Sequence, residues 1–265
     1  NPLVDTLRKG KPAIKLLNKS DLADPARTKE WLDYFNAQPD TMAVALDYEQ
    51  KKQINRIPDL CKKMAPSRSN ADRPVRAMIM GIPNVGKSTM INALLGRRIA
   101  KVGNEPAVTK SQTRFTSKNG MALSDTPGIL WPKIEDKDSG YRLAASGAIK
   151  DTAIDYEDVA LFAAGFMLSD YSERTQERYK LKALPERADQ LLEEIGRKRG
   201  GLRPGGVIDM HKASEVLLHE MRSGKLGRLT FETVAEWEEK HRLAEIARLE
   251  AEAAALAEAE QQEQK

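Results

Sequence analysis

Hydrophobic and polar positions follow two regimes along this chain. In the first half, short apolar runs are separated by polar turns and amphipathic stretches, the pattern of buried strands alternating with helices. After a short helical segment at residues 3–8 and the breakers Gly10 and Pro12, Ala13-Ile-Lys-Leu-Leu17 predicts a strand. Asp24-Pro25 opens a helix over 26–36 with Trp31, Leu32 and Phe35 on its inner face. Residues 41–46 predict a second strand, 50–64 a helix, and 66–74 a linker. Ala77-Met-Ile-Met80 predicts a strand that runs into a glycine-rich turn and an amphipathic helix, 88–95, stopped by Gly96; residues 121–124 predict another strand.

From Ser139 the period becomes helical, over 149–169, 185–199 and 210–221. The expected organisation is an α/β unit over 1–138, a small α-helical domain over 139–231, and an Ala- and Glu-rich tail over 232–265. The tail's apolar positions are too sparse for a coiled coil, so a single projecting helix and a disordered segment are both open.

The 265 residues, 40% hydrophobic and 31% charged, suffice for one substantial core and a smaller second unit. One cysteine, Cys61, excludes a disulfide framework, and three scattered histidines, His211, His219 and His241, leave no zinc constellation. A reducing, cytoplasmic setting is expected. No apolar run is long enough to span a bilayer, the N-terminus lacks a signal pattern, and the start at Asn1 reads as a fragment or a processed chain. The net charge of +4 is uneven: residues 232–265 hold ten acidic and four basic side chains, net −6, leaving +10 on 1–231. A basic body points to a polyanionic partner such as RNA, or simply to a charged surface.

Short motifs stand at the ends of the predicted strands. Gly81-Ile-Pro-Asn-Val-Gly-Lys-Ser-Thr89 fits G-x-x-x-x-G-K-[ST] between a buried strand and a helix. Its glycines, Gly81 and Gly86, allow close approach to a polyphosphate, and Asn84, Val85 and Thr89 belong to the same cradle. Lys87 is expected to reach the β- and γ-phosphates and Ser88 to bind Mg²⁺. Asn18-Lys19-Ser20-Asp21 fits the N-K-x-D pattern of guanine recognition: Asp21 accepts from the ring N–H and the exocyclic amine, which adenine does not offer together. Asp125-Thr-Pro-Gly128 ends a strand, with Asp125 acting on Mg²⁺ through water and the Gly128 N–H facing the γ-phosphate. Between P-loop helix and strand lies Pro106-Ala-Val-Thr109, where Thr109 is either a Mg²⁺ ligand sensing the γ-phosphate or an ordinary loop threonine. Ala45-Leu46-Asp47 offers a small residue and a backbone N–H for the base. In the helical part, Lys198, Arg199, Arg203, Lys212, Arg222, Lys225 and Arg228 are either phosphate contacts or a solvated face.

The guanine element precedes the P-loop, whereas in most GTPases it comes last, so the chain reads as circularly permuted. N-K-S-D, G-I-P-N-V-G-K-S-T, P-A-V-T, D-T-P-G-I-L-W-P, G-A-I-K-D and S-G-K-L-G-R-L-T-F-E together resemble the bacterial ribosome biogenesis GTPase A family, the YlqF type, over most of 1–231. The resemblance implies an α/β, circularly permuted P-loop GTPase domain with a mostly parallel sheet, followed by a helical domain that contacts RNA or ribosome. It implies GTP/GDP and Mg²⁺ as ligands, K⁺ at Asn84, and a catalytic set of Lys87, Thr109, Asp125 and Gly128. It also implies a monomer acting on large ribosomal subunit precursors, their RNA and proteins, with low intrinsic hydrolysis stimulated by the particle. Family members begin with a helix, a further strand and an Asp-Ala-Arg segment; these, with a segment proposed to carry a catalytic histidine, are expected to lie outside this sequence. Ile129 stands where many GTPases have glutamine, and it can neither donate nor accept a hydrogen bond. Two rivals remain: a permuted GTPase of the small subunit, which should carry a Cys/His zinc module, and a nucleotide-gated binding module that scarcely hydrolyses GTP.

Overall fold

Strand β1 (Ala13–Asn18) and strand β2 (Thr41–Leu46) run parallel, in register from Ala13 opposite Thr41 to Asn18 opposite Leu46, and helix α1 (Pro25–Asn36) joins them. The computed structural model describes residues 8–47, 50–66, 75–96, 113–116, 121–125, 134, 136–149 and 155–263. Asp24 caps α1 by accepting from the N–H groups of Ala26 and Arg27, and Pro25, whose missing donor is harmless in the first turn, starts it. Trp31, Leu32 and Phe35 are half-buried rather than fully enclosed.

The single helix expected over 50–64 is two: α2 (Lys51–Asn55) and α3 (Ile57–Met64). Pro58 has no N–H to give the carbonyl of Ile54, so the helical ladder breaks there. Strand β3 (Arg76–Ile79), helix α4 (Lys87–Leu95), strand β4 (Thr113–Thr116) and strand β5 (Ala122–Asp125) follow. Here β5 lies between β3, which it parallels, and β4, which it opposes. The described strands thus form two sheets, β1-β2 and β3-β5-β4. They share a core under α3 and α4: one cluster holds Leu46, Ile54, Ile57 and Met90, another Ile91, Leu95, Met121 and Leu123, and Cys61, Ile79 and Leu94 touch both. Burial raises the Cys61 thiol pKa, so it behaves as a small apolar side chain.

The helical part comprises α5 (Lys137–Ala145), α6 (Tyr156–Asp170), α7 (Ser172–Tyr179), α8 (Ala188–Lys198) and α9 (Met210–Arg222). Its core gathers Val159, Ala163, Met167, Leu191, Ile195, Leu217 and Leu218, all essentially enclosed. On α9, buried Glu220 accepts from Arg178 Nε at 2.9 Å and Nη2 at 2.6 Å, a two-pronged bond that pins α7 to α9 and, outweighing burial, lowers the carboxyl's pKa.

The tail is a helix, α10 (Val234–Glu263). A capping box starts it: Glu236 accepts from the Thr233 N–H at 2.8 Å, and Thr233 Oγ1 accepts from the Glu236 N–H at 3.2 Å. Trp237 meets Trp31 and Tyr34 edge-on, with centroids 6.1 and 5.3 Å apart, which is why the inner face of α1 is aromatic.

Candidate nucleotide site

The motif-bearing loops leave the carboxyl ends of parallel strands, where ligands of α/β sheets bind. β3 leads into Gly81–Thr89. Asp125 closes β5 directly opposite Ile79, the last residue of β3, so the two sequence elements expected to meet on one metal start from neighbouring positions. Gly86 is the N-cap of α4 at φ 94°, ψ 18°, a left-handed conformation that a Cβ would strain, and it aims the first turn's N–H groups out of the helix. Gly81 sits where an added Cβ would stand 3.2 Å from Val85 Cγ2 and 3.6 Å from Lys87 Cδ. Lys87 Nζ donates to the carbonyls of Gly81 at 2.9 Å and Ile82 at 2.7 Å, which draws its charge over the concave face of the loop. Ser88 is the second residue of α4.

Asn18-Lys-Ser-Asp21, the expected guanine element, folds against this loop. Asn18 Nδ2 donates to the Val85 carbonyl at 2.6 Å across 67 residues of sequence. The chain then turns through Lys19, at φ 57°, while the Ser20 N–H donates to Leu46 O at 3.0 Å and that of Leu22 to Lys19 O at 3.0 Å. Asp21 therefore follows two ties, one from Asn18 to the Gly81–Thr89 loop and one from Ser20 to β2. Asn84 also takes a left-handed backbone, φ 57°, and its Nδ2 donates to Gly147 O at 3.0 Å, just beyond α5.

Thr109, Gly128 and Ile129 lie outside the described residues, as do residues 3–7 of the expected first helix and 67–74 of the linker. Of Ala45-Leu46-Asp47, the stretch expected to offer a base a small residue and a backbone N–H, the Asp47 N–H donates to Gln53 Oε1 at 3.1 Å. Several of the basic residues weighed as phosphate contacts are engaged within the fold: Arg203 with Asp209, Lys212 with Glu215, Lys198 with Lys180 O, Arg199 with Arg178 O. Two others bond at a motif loop or at the end of α5 that supports one. Arg222 holds carbonyls next to Gly147, and Arg228 holds carbonyls of the 18–24 loop. Arg228 stands inside S-G-K-L-G-R-L-T-F-E, Arg222 immediately precedes it, and Gly147 opens G-A-I-K-D, strings that carry no chemistry until the fold is known.

A family profile described as "50S ribosome-binding GTPase" matches residues 76–194. The chain is 43% identical over 247 residues to "Ribosome biogenesis GTPase A" of Priestia megaterium, covering 90% of this chain and 85% of that one. It is 35% identical to the protein of the same name from Thermotoga maritima, over 84% and 76% of the two chains. Among solved structures it superposes on "GNP-bound YlqF from T. maritima" with a TM-score of 0.58 at 29% identity, over 85% of this chain and 83% of that one. A GDP-bound YlqF structure gives a TM-score of 0.59. The chain belongs to the ribosome biogenesis GTPase A family. As a GTPase of that family it carries the permuted motif order in a fold whose P-loop and guanine element touch.

Proposed function

We propose that the chain binds guanine nucleotide between Asp21 and Lys87, hydrolyses GTP, and works as a nucleotide-dependent switch on precursors of the large ribosomal subunit. The Asn18–Val85 hydrogen bond carries the reading, because it sets the base-selecting loop against the phosphate cradle. In this reading Asn18, Lys19 and Asp21 select the base, and Asn84, Val85, Gly86, Lys87, Ser88 and Thr89 hold the phosphates. Thr109 and the Gly128 N–H answer to the γ-phosphate. Phosphoryl transfer calls mainly for positioning and charge neutralisation, the work assigned to Lys87, Thr109, Asp125 and Gly128.

The residues present suit Mg²⁺: Ser88 stands in the first turn of α4, and Asp125 ends the strand beside the one leading to it. Ser88, Asp125 and Thr109 would hold the ion, which supplies charge against the β- and γ-oxygens when bound. Asn84 suits K⁺, because its Nδ2 is taken by Gly147 and its amide oxygen is the group left to face a cation. We assign residues 1–138 to the GTPase domain, 139–231 to contacts with ribosomal RNA and protein, and 232–265 to a helical extension, with the chain acting as a monomer in the cytoplasm. Among the described residues no helix is long and apolar enough to cross a membrane.

The test is sedimentation of the protein with ribosomal subunits. Co-migration with free large particles only in the presence of a non-hydrolysable GTP analogue supports the switch. Binding that ignores nucleotide, or none in any state, rejects it.

A further inference from the structure

One short segment of the helical part holds the 18–24 loop directly and backs the residue that holds the P-loop. Arg228 donates from Nε to Ala23 O at 2.8 Å and from Nη2 to Ser20 O at 2.8 Å, and Ser20 stands inside the guanine element. The next residue continues the seam, the Leu229 N–H donating to Leu22 O at 2.8 Å. Thr230 Oγ1 accepts the Asp24 N–H at 3.1 Å. At the other end of the segment Gly224, at φ +73°, approaches the same loop so closely that a Cβ there would stand 2.8 Å from Leu22 Cδ2. Arg222 donates to Ala144 O at 2.8 Å and Ala145 O at 3.0 Å and lies against Gly147, whose carbonyl takes Asn84 of the P-loop.

The loop from Asn18 to Asp24 is anchored at its start by Asn18 and the Ser20 N–H and turns on two bonds of its own, Leu22 N–H to Lys19 O and Ala23 N–H to Ser20 O at 3.4 Å; Arg228 clamps the carbonyls of Ser20 and Ala23 from outside and fixes their separation. A guanidinium is a rigid planar fork whose Nε and Nη2 fix two acceptors at a set separation; an ammonium is a point charge that fixes neither. Base selection requires the Asp21 carboxylate to be held close to the geometry of its two donors, and a small displacement costs much of the discrimination. We propose that residues 222–230 form a strap from the helical domain to the nucleotide site, with Arg228 a positioning residue for guanine specificity. This rests on reading Asn18–Asp21 as the guanine element. A load on the helical domain then reaches the 18–24 loop directly through Arg228 and Leu229, and the P-loop indirectly through Arg222 and Gly147.

The test measures GDP, IDP and ADP binding to the full chain by competition with a fluorescent guanine nucleotide, in wild type, Arg228→Ala, Arg228→Lys and Gly224→Ala. IDP lacks the exocyclic amine that Asp21 accepts from, so the GDP-to-IDP ratio reports the loop's geometry rather than overall fold. Arg228→Ala is expected to weaken GDP about tenfold and to compress the GDP-to-IDP ratio, with Arg228→Lys restoring little of it. Gly224→Ala is expected to act in the same direction. An unchanged ratio in folded Arg228→Ala overturns the proposal; if that variant does not fold, a wild-type ratio in Arg228→Lys does so. A wild type that binds ADP as well as GDP rejects instead the nucleotide-site reading beneath it.

Discussion

Asn18 and Lys87 divide the work of shaping the site. The first ties the base-selecting loop to Val85, and the second bridges the carbonyls of Gly81 and Ile82, so the loop's curvature and its positive charge are set together. In the proposed site Asp21 has the narrower task of matching two donors on one edge of the base. Removing it with Asp21→Ala deletes two charge-assisted bonds, and GTP affinity should fall roughly hundredfold. Titration with a fluorescent GTP analogue checks this, and a loss of less than threefold would rule out base contact by Asp21. These residues could be read from sequence because each belongs to a short motif of fixed spacing. Arg228 and Gly147 could not, because a lone arginine or glycine has no periodicity, and the bond from Arg228 to Ser20 spans 208 residues.

Among the elements, α5 shows how a weak sequence pattern becomes a fixed helix. Lys137-Asp-Ser-Gly-Tyr-Arg-Leu-Ala-Ala145 has a polar start and a glycine in its middle, yet Asp136 caps it by accepting the Ser139 N–H at 2.9 Å, and Ala144 and Ala145 enter the helical core. The polar α7 was missed, and β4 is a short polar strand held by β5. In each case tertiary partners override a poor local signal. Burial alone would raise the Asp136 carboxyl, but Lys240 of α10 and the hydroxyl and N–H of Ser139 outweigh it and bring the pKa down to about 2. A carboxyl with a depressed folded-state pKa adds stability above its unfolded value and loses it as pH falls through the folded one. Asp136→Ala should therefore cost about 1 kcal/mol at neutral pH. Its deficit should shrink as pH falls from about 4 towards 2, and thermal melts across that range measure it. A deficit that stays constant over the range would show that the carboxylate's charge plays no part.

At the scale of the molecule, motif order revealed the permutation, and alternating strands and helices revealed an α/β half followed by a helical half. What sequence left out was how the halves meet. The seam at 222–230 joins residues far apart in the chain, and the base of α10 lies against α1 through Trp237 and Trp31. Of the basic residues weighed as RNA contacts, Arg228 ties the helical half to the 18–24 loop, while Arg199, Arg203 and Arg222 bond within the helical half. The central claim is spatial: one purine nucleotide touches both Asp21 and Lys87 although the base-selecting loop is encoded first. Displacement of a fluorescent guanine nucleotide by unlabelled GTP and ATP tests it most directly. GTP should compete at concentrations at least about a hundredfold below those needed for ATP; equal competition by ATP would contradict the account.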